Sequence, residues 1–271
     1  MISVLRPKTQ KELFEILDKE DKSFVFIAGG TDVMPSVKKG IEKRKDFIDL
    51  SFLKKELSGV ELKNNEVIIK SLTTFAAIQR HELVTKNFPA FLKAAKMIGG
   101  FTIQSMATIA GNIVNASPAA DSLPPLLTLN SRVTLLSSNG ERVVELKDFY
   151  TGYKQMEIKN NEIISNIIIP ISDYKSEFIE IGTRKAMSIT KVSLAYSYKA
   201  KDIRLSAGSS FAYPTRLLEV EKGFFNDNLT KKDFRVLLKK DVSPLDDIRS
   251  TGKYRFNVLV NILFNLYQEI K

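Results

Sequence analysis

The segment from Thr108 to Asp121 constrains this chain most strongly, because it concentrates small and polar residues between two apolar stretches. Gly111 can adopt backbone angles that are closed to other residues, and its missing side chain lets a ligand approach the main chain. Asn112 and Asn115 add hydrogen-bonding groups at close intervals. Such a segment can line an elongated polar ligand, although a loop that lets two elements pack closely has a similar composition.

A second segment combines a buried strand with a glycine turn. The run from Phe24 to Ala28 has the apolar pattern of a buried strand, and Gly29-Gly30 follows it. Thr31-Asp32 is a helix-start signal, so we predict a short helix from Val33 to Lys39. Free backbone N–H groups beside a glycine turn at a helix start can bind an anion. The segment is not a dinucleotide fingerprint, because the pattern Gly-x-Gly-x-x-Gly is absent.

Several motifs, in order along the chain, resemble the FAD-binding subunit of molybdenum hydroxylases, the medium subunit of the xanthine dehydrogenase and carbon monoxide dehydrogenase type. The motifs that carry the resemblance are Ala28 to Asp32, Thr108 to Asn112 and Ala116 to Asp121. The resemblance continues through Gly182 to Ala186, Ala207 to Arg216 and Ser250 to Arg255. It therefore covers almost the whole chain.

The resemblance implies an α+β fold in two parts. A two-subdomain FAD-binding domain of the PCMH or vanillyl-alcohol-oxidase type is expected over residues 1–172. A small α/β C-terminal domain of the CO dehydrogenase flavoprotein type is expected over residues 173–271, with a three-stranded antiparallel sheet and helices. Pro170 and the polar stretch after it mark the expected boundary.

Local signals predict the elements of both parts. Thr9 and Glu12 form a capping-box signature for a first helix. Asn64-Asn65 and Asn139-Gly140 each separate two strand patterns, which predicts two hairpins. Further helices are predicted at Phe75–Val84, at Ala90–Ile98 and from about Tyr254. Further strands are predicted at Asp46–Leu50, Ile163–Ile169, Phe178–Arg184, Lys191–Lys199 and Ile203–Ser209.

The resemblance also implies which residues contact FAD. The first phosphate loop is implied to comprise Phe26, Ile27, Ala28, Gly29, Gly30, Thr31, Asp32 and Val33. The main-chain N–H groups from Gly29 to Asp32 are expected to bind the pyrophosphate. Because an exposed carboxylate would repel phosphate, we expect Asp32 to cap the helix that it begins. The second loop, expected on the other side of the pyrophosphate, comprises Thr108, Ile109, Ala110, Gly111 and Asn112.

Four further residues are implied to contact other parts of the cofactor. Asn115 and Asp121 are expected to meet the ribityl hydroxyls or the adenosine half. Ile98 and Ile164 fall where the family lays apolar side chains against the cofactor.

Three positions depart from the family pattern. Phe75 stands where relatives frequently have a histidine. Ala110 stands where many relatives carry a second glycine, so the loop is expected to lie slightly further from phosphate. Glu180 stands where relatives often have a lysine near the cofactor, and a carboxylate there would not neutralise phosphate. Glu180 remains a candidate contact. His81, the only histidine, is interpreted as a surface or capping residue and not as a catalyst.

Composition excludes several classes of protein. The net charge of +10 raises the question of nucleic-acid binding, but the lysines are dispersed and do not alternate with aromatic residues, so no nucleic acid is expected. No apolar run reaches the roughly 18–20 residues of a membrane span, and the N-terminus lacks a signal-peptide pattern. The absence of cysteine excludes disulfides and thiolate-bound clusters. A cytoplasmic protein without a metal site is expected.

The resemblance implies an oxidoreductase subunit with non-covalent FAD and no catalytic side chain of its own. A large chain with molybdopterin and a small chain with two [2Fe-2S] clusters are the implied partners, and NAD is a possible electron acceptor. Two alternatives remain: a stand-alone FAD-dependent reductase or oxidase of the same fold, and a docking subunit that has lost FAD. The substrate of the complex stays open, because its pocket belongs to another chain.

Overall fold

The computed structural model describes residues 2–19, 23–184 and 189–271. A three-stranded parallel sheet begins the fold, and its strands are β1 (Ser3–Leu5), β2 (Val25–Ile27) and β3 (Asp46–Asp49), in the order β1-β3-β2. Helix α1 (Gln10–Lys19) leads from β1 to β2, and α2 (Val33–Lys38) leads from β2 to β3. The two strands predicted at Phe24–Ala28 and Asp46–Leu50, and the helix predicted between them, are therefore present, and they form a βαβ unit.

Helix α1 begins at the predicted capping signature. The backbone N–H of Glu12 donates to Thr9 Oγ1 at 3.2 Å, while the Glu12 carboxylate accepts from the backbone N–H of Lys8 at 2.7 Å. The apolar face of the helix buries Leu13 and Leu17 in a core shared with the parallel sheet. A 3₁₀ turn at Ser51–Leu53 and a short helix α3 (Lys54–Leu57) then lead to the second sheet.

The second sheet has five antiparallel strands in the order β4-β5-β10-β6-β7. These strands are β4 (Val60–Lys63), β5 (Glu66–Lys70), β6 (Arg132–Ser137), β7 (Gly140–Glu145) and β10 (Ile163–Pro170). Two very short strands, β8 (Tyr150–Gly152) and β9 (Gln155–Met156), pair separately. Both predicted hairpins are confirmed: Asn64 and Asn65 have φ of 51° and 62°, which suits a tight turn between β4 and β5.

A layer of short helices, most of them between β5 and β6, covers this sheet. They are α4 (Phe75–Arg80), α5 (Glu82–Asn87), α6 (Pro89–Met97), α7 (Phe101–Met106), α8 (Ile109–Asn115), α9 (Leu123–Thr128) and α10 (Leu146–Phe149). The prediction of one helix over residues 75–84 was wrong, because His81 adopts an extended backbone with ψ of 127°. Its Nδ1 accepts from the N–H of Leu83 at 3.3 Å. His81 therefore ends one helix and caps the next.

The C-terminal part has its own antiparallel sheet and core. Its strands, in spatial order, are β11 (Lys175–Ile181), β12 (Val192–Lys199), β13 (Asp202–Gly208) and β14 (Thr215–Arg216). The expected three-stranded sheet is formed by β11, β12 and β13, and the two-residue β14 adds a fourth strand at its edge. The helices are α11 (Leu218–Gly223), α12 (Lys231–Asp241) and α13 (Gly252–Ile270). They bury one face of the sheet.

The C-terminal sheet packs against α9 and the segment before it. The backbone N–H of Ser209 donates to the Pro118 carbonyl at 2.7 Å, and Ser197 Oγ donates to Thr128 Oγ1 at 3.1 Å. Arg216 Nη1 reaches Asn130 Oδ1 at 2.9 Å. The stretch that follows α8 is therefore held between the two parts of the chain. None of the helices in the described ranges is both long enough and apolar enough to cross a membrane.

Candidate functional site

The turn after β2 exposes a row of backbone donors. Strand β2 is fixed to β3 up to Ile27, whose carbonyl accepts from Leu50 N–H at 2.9 Å. Within the described residues, the backbone N–H groups of the next six positions make no hydrogen bond. These positions are Ala28, Gly29, Gly30, Thr31, Asp32 and Val33. Most of them are half-buried. Because backbone donors shielded from water normally have partners, this turn suits an anion with several acceptor oxygens.

Gly30 gives the turn its shape. Its φ is +69°, a conformation that side chains other than that of glycine adopt at a cost. The Gly30 carbonyl accepts from Met34 N–H at 3.0 Å, so the chain bends directly into α2. Turns that bind anions through successive backbone N–H groups commonly include one residue in this left-handed conformation.

The expectation that Asp32 caps α2 was wrong. Asp32 occupies the position before the helix, but its side chain makes no capping hydrogen bond. Its backbone is already helical, with φ of −109° and ψ of −45°, whereas a capping residue normally has an extended backbone. The Asp32 side chain is exposed to solvent beside the turn.

The first loop packs directly against the chain that leads into α8. A Cβ atom on Gly29 would lie 2.0 Å from the carbonyl oxygen of Met106 and 3.1 Å from Ala107 Cα. A Cβ on Gly111 would lie 4.0 Å from the Ala28 methyl. The two segments that the sequence singles out therefore meet in space.

The second loop forms the start of helix α8, and its backbone donors are already paired. Ile109 N–H donates to Thr73 O at 3.1 Å and Ala110 N–H to Ser71 O at 3.2 Å. Gly111 N–H donates to the Thr108 hydroxyl at 3.2 Å. What this segment presents to the first loop is therefore a closely packed main chain at Gly111 and not a second row of free donors.

The methyl group of Ala110 lies in the core. Ala110 belongs to the same buried cluster as Ile109 and Ile164, and Ile98 packs half-buried against that cluster. A methyl group directed into the core does not come between α8 and a ligand on the other side. The departure from glycine at this position is therefore accommodated by packing.

The far end of α8 presents a free amide. Asn115 is half-buried, and its side chain makes no hydrogen bond within the described ranges. Asn112 differs, because its Oδ1 accepts from the Ser122 hydroxyl at 2.6 Å. The helix end is fixed by the buried Tyr150, whose hydroxyl donates to Ile113 O at 2.9 Å. Asn115 is thus the side chain of α8 best placed to bind a ligand through its amide.

Asp121 and Glu180 come together through a threonine that the sequence did not indicate. The hydroxyl of Thr190 lies 2.7 Å from Asp121 Oδ1 and 3.3 Å from Glu180 Oε1. Burial raises the pKa of Asp121 from 3.8 to about 7, with the negative charge of Glu180 adding to this rise and the Thr190 hydroxyl opposing it. Burial also raises the pKa of Glu180. The single hydrogen of the Thr190 hydroxyl cannot be donated to both carboxylates at once. Asp121 and Glu180 together therefore favour a state in which one of the two carboxyl groups is protonated.

Helices α7 and α2 carry exposed apolar side chains beside the turn. Phe101 is 74% exposed, and Met106 and Met34 are about half exposed. Met106 adjoins Gly29, so this surface is continuous with the row of donors. A ligand with a charged phosphate portion and a flat apolar ring would match both features.

Sequence reasoning found the donor turn and missed the groups that hold it in place. Met106 packs against the turn at Gly29, while Ser71 and Thr73 hold the start of α8 beside it, and all three reach the site through tertiary packing. The quoted motif at 182–186 is only partly described, because Lys185 and Ala186 lie outside the described residues. No group of three acidic or histidine side chains that could hold a metal ion occurs in the described part.

A glycine turn that presents unpaired backbone donors between a strand and a helix start is typical of phosphate-binding sites. The family model described as "FAD binding domain in molybdopterin dehydrogenase" matches residues 1–172. The chain belongs to this family and is an FAD-binding medium subunit of the molybdenum hydroxylase type, a subunit of oxidoreductases.

Similar proteins cover nearly the whole chain. The glyceraldehyde dehydrogenase medium chain of Sulfolobus acidocaldarius is 29% identical over 99% of this chain and 98% of its own length. The nicotinate dehydrogenase FAD-subunit of Eubacterium barkeri is 29% identical over 86% of this chain and 82% of its own length. A crystal structure of a Cu,Mo-CO dehydrogenase superposes with a TM-score of 0.88 at 21% identity, covering 97% of this chain and 95% of the other. This last likeness concerns the fold.

Proposed function

We propose that the unpaired N–H groups from Ala28 to Val33 bind the pyrophosphate of one non-covalently held FAD per chain. The row of six backbone donors carries this proposal. Gly29 supports it, because its contact with Met106 aligns the turn with α8. The exposed Asp32 carboxylate opposes anion binding, and the six donors outweigh it because each contributes a hydrogen bond to a charged acceptor.

The other candidate residues then line the remainder of the cofactor. Thr108 to Asn112 would form a wall against the phosphates, and the Asn115 amide would bind hydroxyls of the ribityl chain or the adenosine half. Asp121 and Glu180, joined by Thr190, would present a protonated carboxyl group as a hydrogen-bond donor. The apolar set Phe26, Ile27, Ile98 and Ile164 would support the non-polar parts. Ile164 is buried in the core, so its support would be indirect.

Bound FAD would supply redox chemistry, so that electrons from [2Fe-2S] clusters on a small partner chain pass to NAD or another acceptor. The chain itself would bind and orient the cofactor and exclude water from part of it. A molybdopterin-containing large chain would oxidise the substrate. The lack of cysteine in this chain is consistent with clusters on a separate subunit.

We further propose that the domain boundary lies at residues 172–173. Strand β10 ends at Pro170 in the five-stranded sheet, and β11 begins at Lys175 in the C-terminal sheet. The first domain would build most of the cofactor site. The C-terminal domain would close one side of it through Glu180 and Thr190.

The purified chain tests the cofactor assignment. We expect a yellow protein that holds one flavin per chain, and acid precipitation should release that flavin into the supernatant as FAD. Flavin that stays with the pellet would contradict non-covalent binding. A preference for FMN would contradict the pyrophosphate site, because FMN lacks the second phosphate and the adenosine half.

Purification from cells that express the neighbouring genes tests the subunit assignment. We expect two further chains, one with iron–sulfur clusters and one with molybdenum. Reduction of the clusters by substrate should bleach the flavin absorbance of this chain. A homo-oligomer with full substrate turnover would instead support a stand-alone flavoenzyme.

A further inference from the structure

The turn that follows β13 contacts both Thr190 and the segment that carries Asp121. The backbone N–H of Ser209 donates to the carbonyl of Pro118, three residues before Asp121, at 2.7 Å. The Ser209 hydroxyl donates to the Thr190 carbonyl at 3.1 Å. Ser209 is only 2% exposed, and hydrogen bonds shielded from water in this way are stronger than exposed ones. One buried residue therefore holds the backbone on both sides of the contact between Thr190 and Asp121.

Ser209 adopts a backbone conformation that serine rarely takes. Its φ is +56°, in the left-handed region that side chains other than that of glycine enter at a cost. Such strain persists where the surrounding structure fixes it, and it is concentrated at functional sites. At Ser209 the two hydrogen bonds to Pro118 and Thr190 fix the conformation. A serine supplies here a hydroxyl group that glycine, the easier residue for this backbone, lacks.

Gly208 brings the end of β13 close to the segment that contains Asp121. A Cβ atom on Gly208 would lie 3.3 Å from Pro124 Cγ and 3.7 Å from the Pro118 carbonyl oxygen. In the sequence, Pro118 precedes Asp121 and Pro124 follows it. The end of β13 therefore packs against this segment on both sides of Asp121, at the point where the chain turns toward Thr190.

The contact that Ser209 supports is sensitive to small displacements. The Thr190 hydroxyl has one hydrogen and two carboxylates in reach, with Asp121 Oδ1 at 2.7 Å and Glu180 Oε1 at 3.3 Å. Burial raises the pKa of Asp121, the hydrogen bond from Thr190 lowers it, and the charge of Glu180 adds to the rise. A shift of Thr190 away from Asp121 therefore weakens the interaction that opposes the rise in pKa.

In the part of the chain that the structure describes, Glu180 is the charged group that acts on Asp121. Residues 116–120 and helix α9, which flank Asp121, contain no charged side chain. The charged residues of β12 and β13 lie at the ends of those strands remote from Thr190. The ammonium group of Lys191, the residue after Thr190, lies over an aromatic ring of α13. The Thr190 hydroxyl is therefore the neighbour through which the fold lowers the pKa of Asp121.

We infer that Ser209 is a positioning residue for the carboxyl pair of the cofactor site, Asp121 and Glu180. Its N–H and its hydroxyl hold the Asp121 segment and Thr190 in register, so that the Thr190 hydroxyl is donated to Asp121. This register determines up to which pH the pair retains the proton that it would donate to FAD. The inference rests on the proposed function, and it adds the residue that tunes this cofactor contact.

Carbon-13 NMR titration of the Asp121 carboxyl group in the purified chain, assigned with Asp121→Asn, tests this inference. Thr190→Val should raise the pKa of Asp121 by about one unit, because a hydrogen bond to a charged group is lost. Ser209→Ala should raise this pKa by roughly half as much, because Thr190 keeps its hydroxyl but its backbone is no longer fixed. Ser210→Ala is the matched control and should leave the pKa unchanged. Ser210 is also buried, and its hydroxyl has no partner among the described residues.

Two further variants separate positioning from a general loss of stability. Ser209→Gly removes the hydroxyl but relieves the backbone strain. It should therefore shift the Asp121 titration as Ser209→Ala does, while unfolding at a higher urea concentration than that variant. Combining Thr190→Val with Ser209→Ala should shift the titration no further than Thr190→Val alone, because Ser209 acts through Thr190.

Wild-type titration of Asp121 in both Ser209 variants overturns the positioning role, and so does a double variant whose shift is the sum of the two single shifts. The proposed function is measured separately, as the FAD affinity of the wild-type chain at pH values on either side of the Asp121 pKa of about 7. FAD binding that weakens with rising pH, and does so at higher pH in Ser209→Ala, supports both proposals. Shifted titrations with an FAD affinity independent of pH keep Ser209 as the positioning residue and remove the carboxyl pair from the FAD contacts.

Discussion

Gly29 lies so close to the main chain of Met106 that a Cβ atom on Gly29 would stand 2.0 Å from the Met106 carbonyl oxygen. Side chains can move to relieve such a contact, but here the neighbour is backbone, and the adjacent Ala107 N–H is bonded to Ile103 O at 2.7 Å. The first loop can keep its place against α8 only if residue 29 has no side chain.

We therefore predict that Gly29→Ala separates the two loops. Overpacking of this kind costs about 1–3 kcal/mol in the free energy of unfolding, and the displaced donors should lose most of the bound FAD. Flavin content and urea unfolding measure the two effects. A variant that purifies with full flavin would show that the contact does not position the cofactor.

Gly30→Ala tests the turn itself, with Gly40→Ala as a matched control. Both glycines have positive φ, +69° and +66°, so both substitutions carry a similar backbone strain of about 1–2 kcal/mol. A Cβ on Gly30 would lie 3.3 Å from Met34 Cγ, whereas nothing lies within 4 Å of one on Gly40. We expect FAD affinity to fall at least tenfold in Gly30→Ala only, as measured by fluorescence titration. Equal affinities in the two variants would place the phosphate elsewhere.

The pH dependence of stability should report on Asp121. Because burial raises its pKa to about 7 from 3.8, the folded state holds a proton that the unfolded state has released. The contribution of Asp121 to the free energy of unfolding therefore falls as the pH rises from about 4 to about 7, by about 1.4 kcal/mol for each unit of pKa shift. Above about pH 7 this contribution stays constant. Among the described residues, Glu180 is the charged group that adds to the rise.

Glu180→Gln should make this pH dependence shallower, because it removes the like charge next to Asp121. Glu177→Gln serves as the control, since Glu177 lies on the same strand but pairs with Lys93 at 2.7 Å and has a lowered pKa. Thermal unfolding between pH 5 and pH 8 measures the slopes. If both variants lose stability with pH as steeply as the wild type, the coupling between Asp121 and Glu180 is absent.

The sequence predicted the elements whose signals are local. The Asn64-Asn65 turn, the strand that ends in the glycine pair and the capped helix α1 all depend on neighbouring residues. Helix α8 was interpreted as a loop, because two of its first N–H groups find their acceptors on Ser71 and Thr73, far away in the sequence. Its local signal is confined to the capping residue Thr108.

In the candidate site, too, the residues with local signals could be predicted and those that depend on tertiary packing could not. The donor turn could be predicted because glycine, threonine and aspartate follow one strand directly. Thr190 could not, because a buried threonine between two carboxylates becomes informative only when the C-terminal sheet packs on the first part of the chain. Asp32 was interpreted wrongly, since its residue type favours a cap but its backbone is already helical.

The last prediction concerns Thr108, which caps α8, and uses Thr251, which caps α13, as its control. The Thr108 hydroxyl accepts from Gly111 N–H and that of Thr251 accepts from Tyr254 N–H, both at 3.2 Å. Replacing either by valine should lower the free energy of unfolding by about 1 kcal/mol, because one N–H loses its acceptor.

Only Thr108→Val should also weaken FAD binding, because the first turn of α8 packs beside Ala28 and forms one wall of the cofactor site. Fraying of that turn moves Gly111 away from the donor row, whereas fraying of α13 leaves the site untouched. Urea unfolding measures the shared loss of stability, and flavin titration measures the difference between the variants. If both variants bind FAD with wild-type affinity, α8 supports the fold without forming a wall of the site.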